Sequence, residues 1–410
     1  MNMVVPLLFF FASLSAKQDQ TALRSGCDAT AELIASLPAG TPVDIRFRLS
    51  DGSDCFKVST ILDGKLVMGY VPASVLAGLE EFEQGRTSAA SADTLRELRP
   101  MEAASQKLVV HSGDLSLERA AQLLASNQPA QALELLEPAL KRHRNDANVL
   151  LLTGLAAYRA DQLRAAIDYW KQSLDLAPNE TLARVYERVR REAASDNSGE
   201  KLLGMHIALR YEGEALPTDT ARVILSTLDE EYNRISSQLG CSSQERTVAI
   251  VQSREAYLRG TGAAEWSGGQ YDGRIHIAWT EGKEVGPQMR RALAHELVHA
   301  CLTSMPSGGT PWPAWLQEGL AQKLSGDQLS PVARGQLRQL AAAHQIPRLE
   351  DLHQDWSQLS IDNARLAYNL ALAAADALYD NYSSFGIRNV INNPQKLLQI
   401  TADLDKKLGL

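Results

Sequence analysis

RRALAHELVHACL, residues 290–302, decides how the rest of this chain is read. It carries His295 and His299 four residues apart, with Glu296 directly behind the first. Residues four apart on a helix stand one above the other on the same face. Both imidazoles can therefore address one ion at about 2.0–2.1 Å. Glu296 is then placed to take a proton from a water polarised by that ion, the general-base task of the H-E-x-x-H pattern. The bland alternative is a helix that happens to hold two histidines. With this chain's His and Glu content, an accidental match is on the order of one in a hundred. Leu293, Leu297, Val298 and Ala300 flank the histidines and predict a buried scaffold helix.

Zinc needs at least a third protein ligand. A metzincin would show Gly and His soon after His299, but ACLTSM follows, which excludes that class. Further on, PWPAWLQEGLAQ (311–322) offers Glu318, separated from His299 by eighteen residues. A second helix starting near Pro313 and crossing the first would bring Glu318 to the ion. The intervening SMPSGGTPWP, with Gly308–Gly309 and three prolines, suits such a reversal. Glu281 and Glu284, upstream of the metal helix, are the rival carboxylates.

HELVH, eighteen residues, then WLQEGLA resembles the gluzincin metallopeptidases, particularly bacterial peptidase MA-like domains with HELTH and WLNEGLA. The similarity covers about residues 203–410. It implies a zinc-dependent hydrolase of peptides or proteins, with His295, His299 and Glu318 as zinc ligands and Glu296 as general base. This chain departs from the family at Gln317, where Asn is common. It also departs at Gln322, where thermolysin-like enzymes carry an Asp that partners a histidine. Gluzincins often supply an oxyanion-binding tyrosine from a later helix. LAYNLALAAADALYDNY (366–382) offers Tyr368, Tyr379 and Tyr382, and Tyr368 is the candidate. In such folds the strand before the metal helix is an edge that pairs with extended substrate, a role the resemblance gives to Gly273–Trp279. Without that role, His276 is expected to face solvent from an ordinary edge strand.

Upstream of the metal helix, PTDTARVILSTLDEEYNRISSQLG (217–240) places Ala221, Ile224, Leu225, Leu228, Tyr232, Ile235 and Leu239 on one helical face. TVAIV (247–251) reads as a buried strand, and SGGQYDGRIHIAW (267–279) as a Gly-rich turn running into a strand.

Residues 115–195 have a helical rhythm. NQPAQALELLEPAL (127–140) and DQLRAAIDYWKQSL (161–174) superpose at a shift of 34, aligning Ala132 with Ala166, Leu136 with Trp170 and Leu140 with Leu174. That period, with small residues at Ala120, Ala132, Gly154 and Ala166, resembles tetratricopeptide repeats. Two repeats are fewer than the three usually needed, so this pair is expected to pack on its neighbours. A spacer hairpin and a peptide-binding groove are both compatible with it.

Within residues 22–85, the stretch 41–72 alternates as half-buried strands do, with Val43, Ile45, Phe47 and Leu49 against Asp44, Arg46 and Arg48, and with SDGSD and LDGK as turns. They predict a small β-barrel. GYVPASVL (69–76) resembles the end of bacterial Src-homology-3-like domains, which implies binding of a protein or cell-wall partner rather than chemistry. Residues 86–114 are Ser-, Ala- and Glu-rich and read as linker.

The apolar run Val4–Leu14 is shorter than the roughly 20 residues a bilayer span needs. It ends in Ser13, Ser15 and Ala16, and so predicts a signal peptide over residues 1–16 and a periplasmic or extracellular protein. No Lys or Arg precedes it. In an exported chain Cys27 and Cys55 are expected to pair, while Cys241 and Cys301 carry no preference. A net charge of −8 and no dense Lys/Arg block argue against nucleic acid as a partner.

The fold class expected is multidomain α+β: barrel, tetratricopeptide pair, and a mostly helical gluzincin domain with a small sheet. The function expected is metal-dependent peptide hydrolysis. The alternative is an inactive scaffold or targeting protein working through barrel and repeats, against which the intact Glu296 argues.

Overall fold

The structure is a computed structural model. It describes residues 15–28, 30–48, 55–62, 65–79, 113–196, 199–261, 269–279, 285–305, 312–353 and 361–408. The run Val4–Leu14, the linker up to residue 112, Glu281, Glu284 and the reversal 306–311 lie outside these residues. The chain divides into two compact units, residues 1–86 with 280–282, and residues 87–279 with 283–410.

In the first unit β1 (Ser15–Ala16), β2 (Thr21–Arg24), β3 (Leu33–Leu37), β4 (Asp44–Arg48), β5 (Cys55–Leu62), β6 (Lys65–Pro72) and β7 (Leu76–Ala77) follow in order. The hairpin β5–β6 pairs along its whole length, from Cys55↔Pro72 to Leu62↔Lys65. Leu23, Leu37, Phe56, Val58 and Val71 form the core. Gly69 permits the crossing of β6 over β2, because a Cβ there would lie 2.8 Å from the Arg24 carbonyl oxygen. After Pro72 a short 3-10 turn (Ala73–Val75) leads into β7, which pairs with β1. The expected signal cleavage near Ser15 or Ala16 thus falls on a paired strand.

The expected barrel does not close. The five strands run β3-β2-β6-β5-β4 as an open antiparallel sheet, with β3 and β4 as edges among the described residues. Closure would need β3 and β4 to pair, and no ladder joins them among the described residues. The sheet is also thinly joined inside, where β2 and β6 share one residue pair, Arg24↔Tyr70, beside a register shift between β2 and β3 at Leu23/Arg24. A Cys27–Cys55 disulfide ties the end of β2 to the start of β5, as expected for an exported chain.

In the second unit the repeats are α1 (Leu115–Ala125), α2 (Pro129–Arg142), α3 (Ala147–Arg159) and α4 (Leu163–Leu176), followed by α5 (Glu180–Ser195). The shift of 34 explains their packing. Ala120 and Leu136 of the first repeat become Gly154 and Trp170 in the second, and all four are buried. The larger ring needs the smaller partner, and a Cβ on Gly154 would overlap the Trp170 indole. Pro178 separates α4 from α5.

The remainder forms a five-stranded mixed sheet of β8 (Glu200–Leu203), β9 (Ile207–Tyr211), β10 (Thr247–Ser253), β11 (Gly269–Tyr271) and β12 (Ile275–Trp279). Its order is β11-β12-β10-β9-β8, with β9, β10 and β12 parallel and both outer strands antiparallel. Ile207, Leu209, Ala249, Val251, Ile275 and Ile277 alternate onto one face. That face is covered by α6 (Thr218–Leu239) and α8 (Pro287–Ser304), with α7 (Arg254–Thr261) between β10 and β11 in sequence. The predicted stripe of α6 is buried from Ala221 to Leu239, apart from the half-buried Leu225. Helices α9 (Ala314–Ser325), α10 (Pro331–Ala342), α11 (Ile361–Asn381), α12 (Ser384–Ile391) and α13 (Pro394–Leu408) complete the unit.

The opposite face of the sheet is polar and meets the repeats. Arg210 pairs with Asp161 and Asp196, and Arg274 with Glu192 and Asp161. Arg188 approaches Asp272, which also bonds His276. These opposed charges are buried together, so removing one partner is the costly change, about 3–5 kcal/mol for a buried pair. Glu245 adds a second tie, its carboxylate accepting from Ala130 N and Gln131 N at 2.9 Å each, at the start of α2. Burial opposes ionisation of Asp272, but His276, Arg274 and Arg188 outweigh it and hold its carboxyl far below the usual carboxylate range.

An acid-stability prediction follows from that sign. The folded Asp272 stays ionised where an unfolded aspartate, near 3.8, takes up a proton. Its contribution is full above that pH and is lost as pH falls below it. A plot of melting temperature against pH should therefore drop below pH 4 less steeply in Asp272→Asn than in wild type (about that pH, since the unfolded value sets it). Equal slopes would exclude Asp272 as a source of the acid sensitivity.

Candidate metal centre

Helix α8 starts with Pro287 in its first turn, where a missing N–H costs nothing. It then runs through Leu293–Leu302 with every residue at most 2% exposed. A helix buried on all sides is expected to be apolar all round, yet this one carries His295, Glu296 and His299. Burying such groups unsatisfied costs about 1–3 kcal/mol each. Both ring nitrogens of His295 and Oε2 of Glu318 have no hydrogen-bond partner.

Glu318 reaches the histidines because α9 packs closely against both α8 and α11. Pro313 precedes α9, and Gly326 closes it in the left-handed conformation at φ +90°. Gly319, next to the ligand, lies against the Ala371 carbonyl of α11, where any Cβ would overlap. The Glu318 carboxylate stands 3.5 Å from His295 Nε2 and 3.7 Å from His299 Nε2. Two ligand atoms on one tetrahedral zinc, each bonded at about 2.1 Å, lie roughly 3.4 Å apart. The separations are too long for good hydrogen bonds and match ligands sharing an ion. His295, His299 and Glu318 thus form a buried group able to hold a metal ion. Burial disfavours a charged His295, but Glu318, Glu296 and Asp327 together hold its pKa above the ordinary value. That surplus of negative charge suits a cation.

Glu296 lies on the same helix, turned toward the sheet. A Cβ on Gly269 of β11 would lie 3.2 Å from its Oε1. This sets Glu296 against the outer strand. The expected substrate edge Gly273–Trp279 needs correcting here. β12 is an inner strand, flanked by β10 and β11, and the edge on its side of the sheet, among the described residues, is the three-residue β11. His276 is fully buried and bonded to Asp272 at 3.2 Å, so it does not face solvent. Its partner strand was hidden in GQY, a stretch too short and Gly-rich to show a period.

Gln322 Nε2 donates to the Glu318 carbonyl at 3.3 Å and the Tyr368 carbonyl at 3.1 Å. It ties α9 to α11 rather than partnering a histidine. Tyr368 is 3% exposed on α11, in the main core. Tyr379 donates to Gln238 at 3.3 Å, and burial pushes its hydroxyl up to about 12.

The pairing left open in the sequence is a second disulfide, Cys241–Cys301. It fastens α8, two residues beyond His299, to the segment after α6. It also removes the nearest thiols as competing soft ligands. No helix among the described residues is long and apolar enough to cross a membrane.

Compared with protein-family models, curated proteins and solved structures, the chain finds no match.

Proposed function

We propose that the protein is a zinc-dependent peptidase. The observation that carries this reading is the buried group His295, His299 and Glu318, with Glu296 beside it and outside the ligand set. Two imidazoles and one carboxylate are a ligand set that leaves a fourth position open, as catalytic zinc sites do. Zinc held there would supply Lewis acidity, which lowers the pKa of water and polarises a carbonyl. The chain's own groups do the rest. Glu296 accepts the proton of the attacking water and returns it to the leaving amine. Gly269, the first residue of β11, keeps the backbone of that strand close to Glu296. Tyr368 is the proposed donor to the oxyanion. The two disulfides support export, since such bonds persist in oxidising compartments.

The test is cleavage of an unstructured protein such as reduced, alkylated casein. Hydrolysis should stop with a chelator such as 1,10-phenanthroline and return on adding zinc. Cleavage that survives complete metal removal would contradict the reading. The alternative of an inactive scaffold working through the repeats is disfavoured by α3, whose residues Val149–Arg159 are all buried.

A further inference from the structure

Strand β11 is three residues long and pairs with β12 alone among the described residues. So short an edge has little rigidity of its own, yet its first residue backs the carboxylate of Glu296. What holds it sits at the other end of the hairpin. Asp272, Gly273 and Arg274 form the turn between β11 and β12, closed by Asp272 N donating to the Arg274 carbonyl at 3.1 Å. Each of these three residues is gripped from the helical repeats or α5. The Tyr158 hydroxyl donates to Asp272 Oδ2. The Arg159 side chain lies across Gly273, at φ +99°, where a Cβ would come within 2.7 Å of its Cγ. Glu192 accepts from Arg274 Nη2 with both carboxylate oxygens, at 2.8 and 2.9 Å. The Arg274 guanidinium also stacks on the Tyr158 ring at 3.9 Å.

We propose that the helical repeats brace the active site: Tyr158, Arg159 and Glu192 are positioning residues that fix the β11–β12 hairpin and, through Gly269, the carboxylate of Glu296. The ladder transmits the grip. Tyr271↔Ile275, Gln270↔His276 and Gly269↔Ile277 link the turn to the base in three steps, about 10 Å of strand. The buried charges around the turn are of both signs and oppose one another, which is the chemistry of an internal joint. Glu296 as general base rests on the peptidase reading; the brace itself does not.

The test compares three variants of the full chain. Tyr158→Phe keeps the ring under Arg274 and deletes only the hydroxyl. Glu192→Gln keeps an acceptor for Arg274. Asp196→Asn weakens Arg210 on β9, which reaches the hairpin only indirectly, through the Asp161 carboxylate it shares with Arg274. In metal-free protein, Tyr158→Phe and Glu192→Gln should speed amide exchange across residues 269–279 and around Glu296 by about tenfold or more, whereas Asp196→Asn should leave both segments protected. Zinc content should be unchanged in all three, because the ligands sit on α8 and α9. Turnover by the first two should fall about tenfold in kcat with KM within about twofold, since a displaced base costs orientation rather than binding.

Unaltered exchange in both hairpin variants would overturn the brace, as would faster exchange with an unaltered kcat. An equal kcat loss in Asp196→Asn would overturn it too, by reducing the effect to general destabilisation. If the wild type hydrolyses nothing, the peptidase reading fails separately. The brace is then judged by exchange alone, and must loosen both segments in the hairpin variants and neither in Asp196→Asn.

Discussion

Glu296→Gln should bind zinc as wild type does and lose hydrolysis by about 10²–10⁴-fold, the range that general-base work contributes. The amide keeps the size of the carboxylate against Gly269, so packing at β11 is preserved, and only the capacity to accept a proton is removed. Glu296 is outside the ligand group, which is why metal content and activity should separate. Steady-state kinetics with parallel metal analysis reads both. Undiminished cleavage by this variant would assign the hydrolysis to another site or to a contaminant.

Glu318→Ala should have the opposite signature, with zinc and activity lost together. It leaves two histidines, below the usual number of protein ligands for zinc. The disulfide Cys241–Cys301 and the contacts of α9 with α11 remain, so the fold should persist by circular dichroism. Glu281→Ala and Glu284→Ala, the rival carboxylates, should retain zinc and turnover. Full zinc retention without Glu318 would remove the three-ligand site and leave a two-histidine helix.

Local pattern made the metal helix, the repeats and the stripe of α6 legible, because each is a periodicity that a single helix imposes on its own sequence. Glu318 was readable only through spacing and resemblance. Its approach to His295 depends on Gly319 and Ala371, residues fifty-two apart that carry no joint local signal. The polar joint was hidden for the same reason. In the charged stretch RVRRE (188–192), Arg188 is 6% and Glu192 2% exposed, the latter bonded to Arg274 some eighty residues on. Charge balance across that distance is a property of the folded unit. The open first sheet was misjudged because alternation specifies a half-buried strand but says nothing of whether the last strand meets the first.

X-ray absorption at the zinc edge of the purified full chain measures the identity of the ligands most directly. About one zinc per chain is expected, with nitrogen and oxygen neighbours at about 2.0–2.1 Å and the outer-shell scattering of two imidazoles. That scattering should fall by half in His299→Ala if any metal is retained. A sulfur neighbour near 2.3 Å, or a chain that takes up no zinc, would contradict this ligand set.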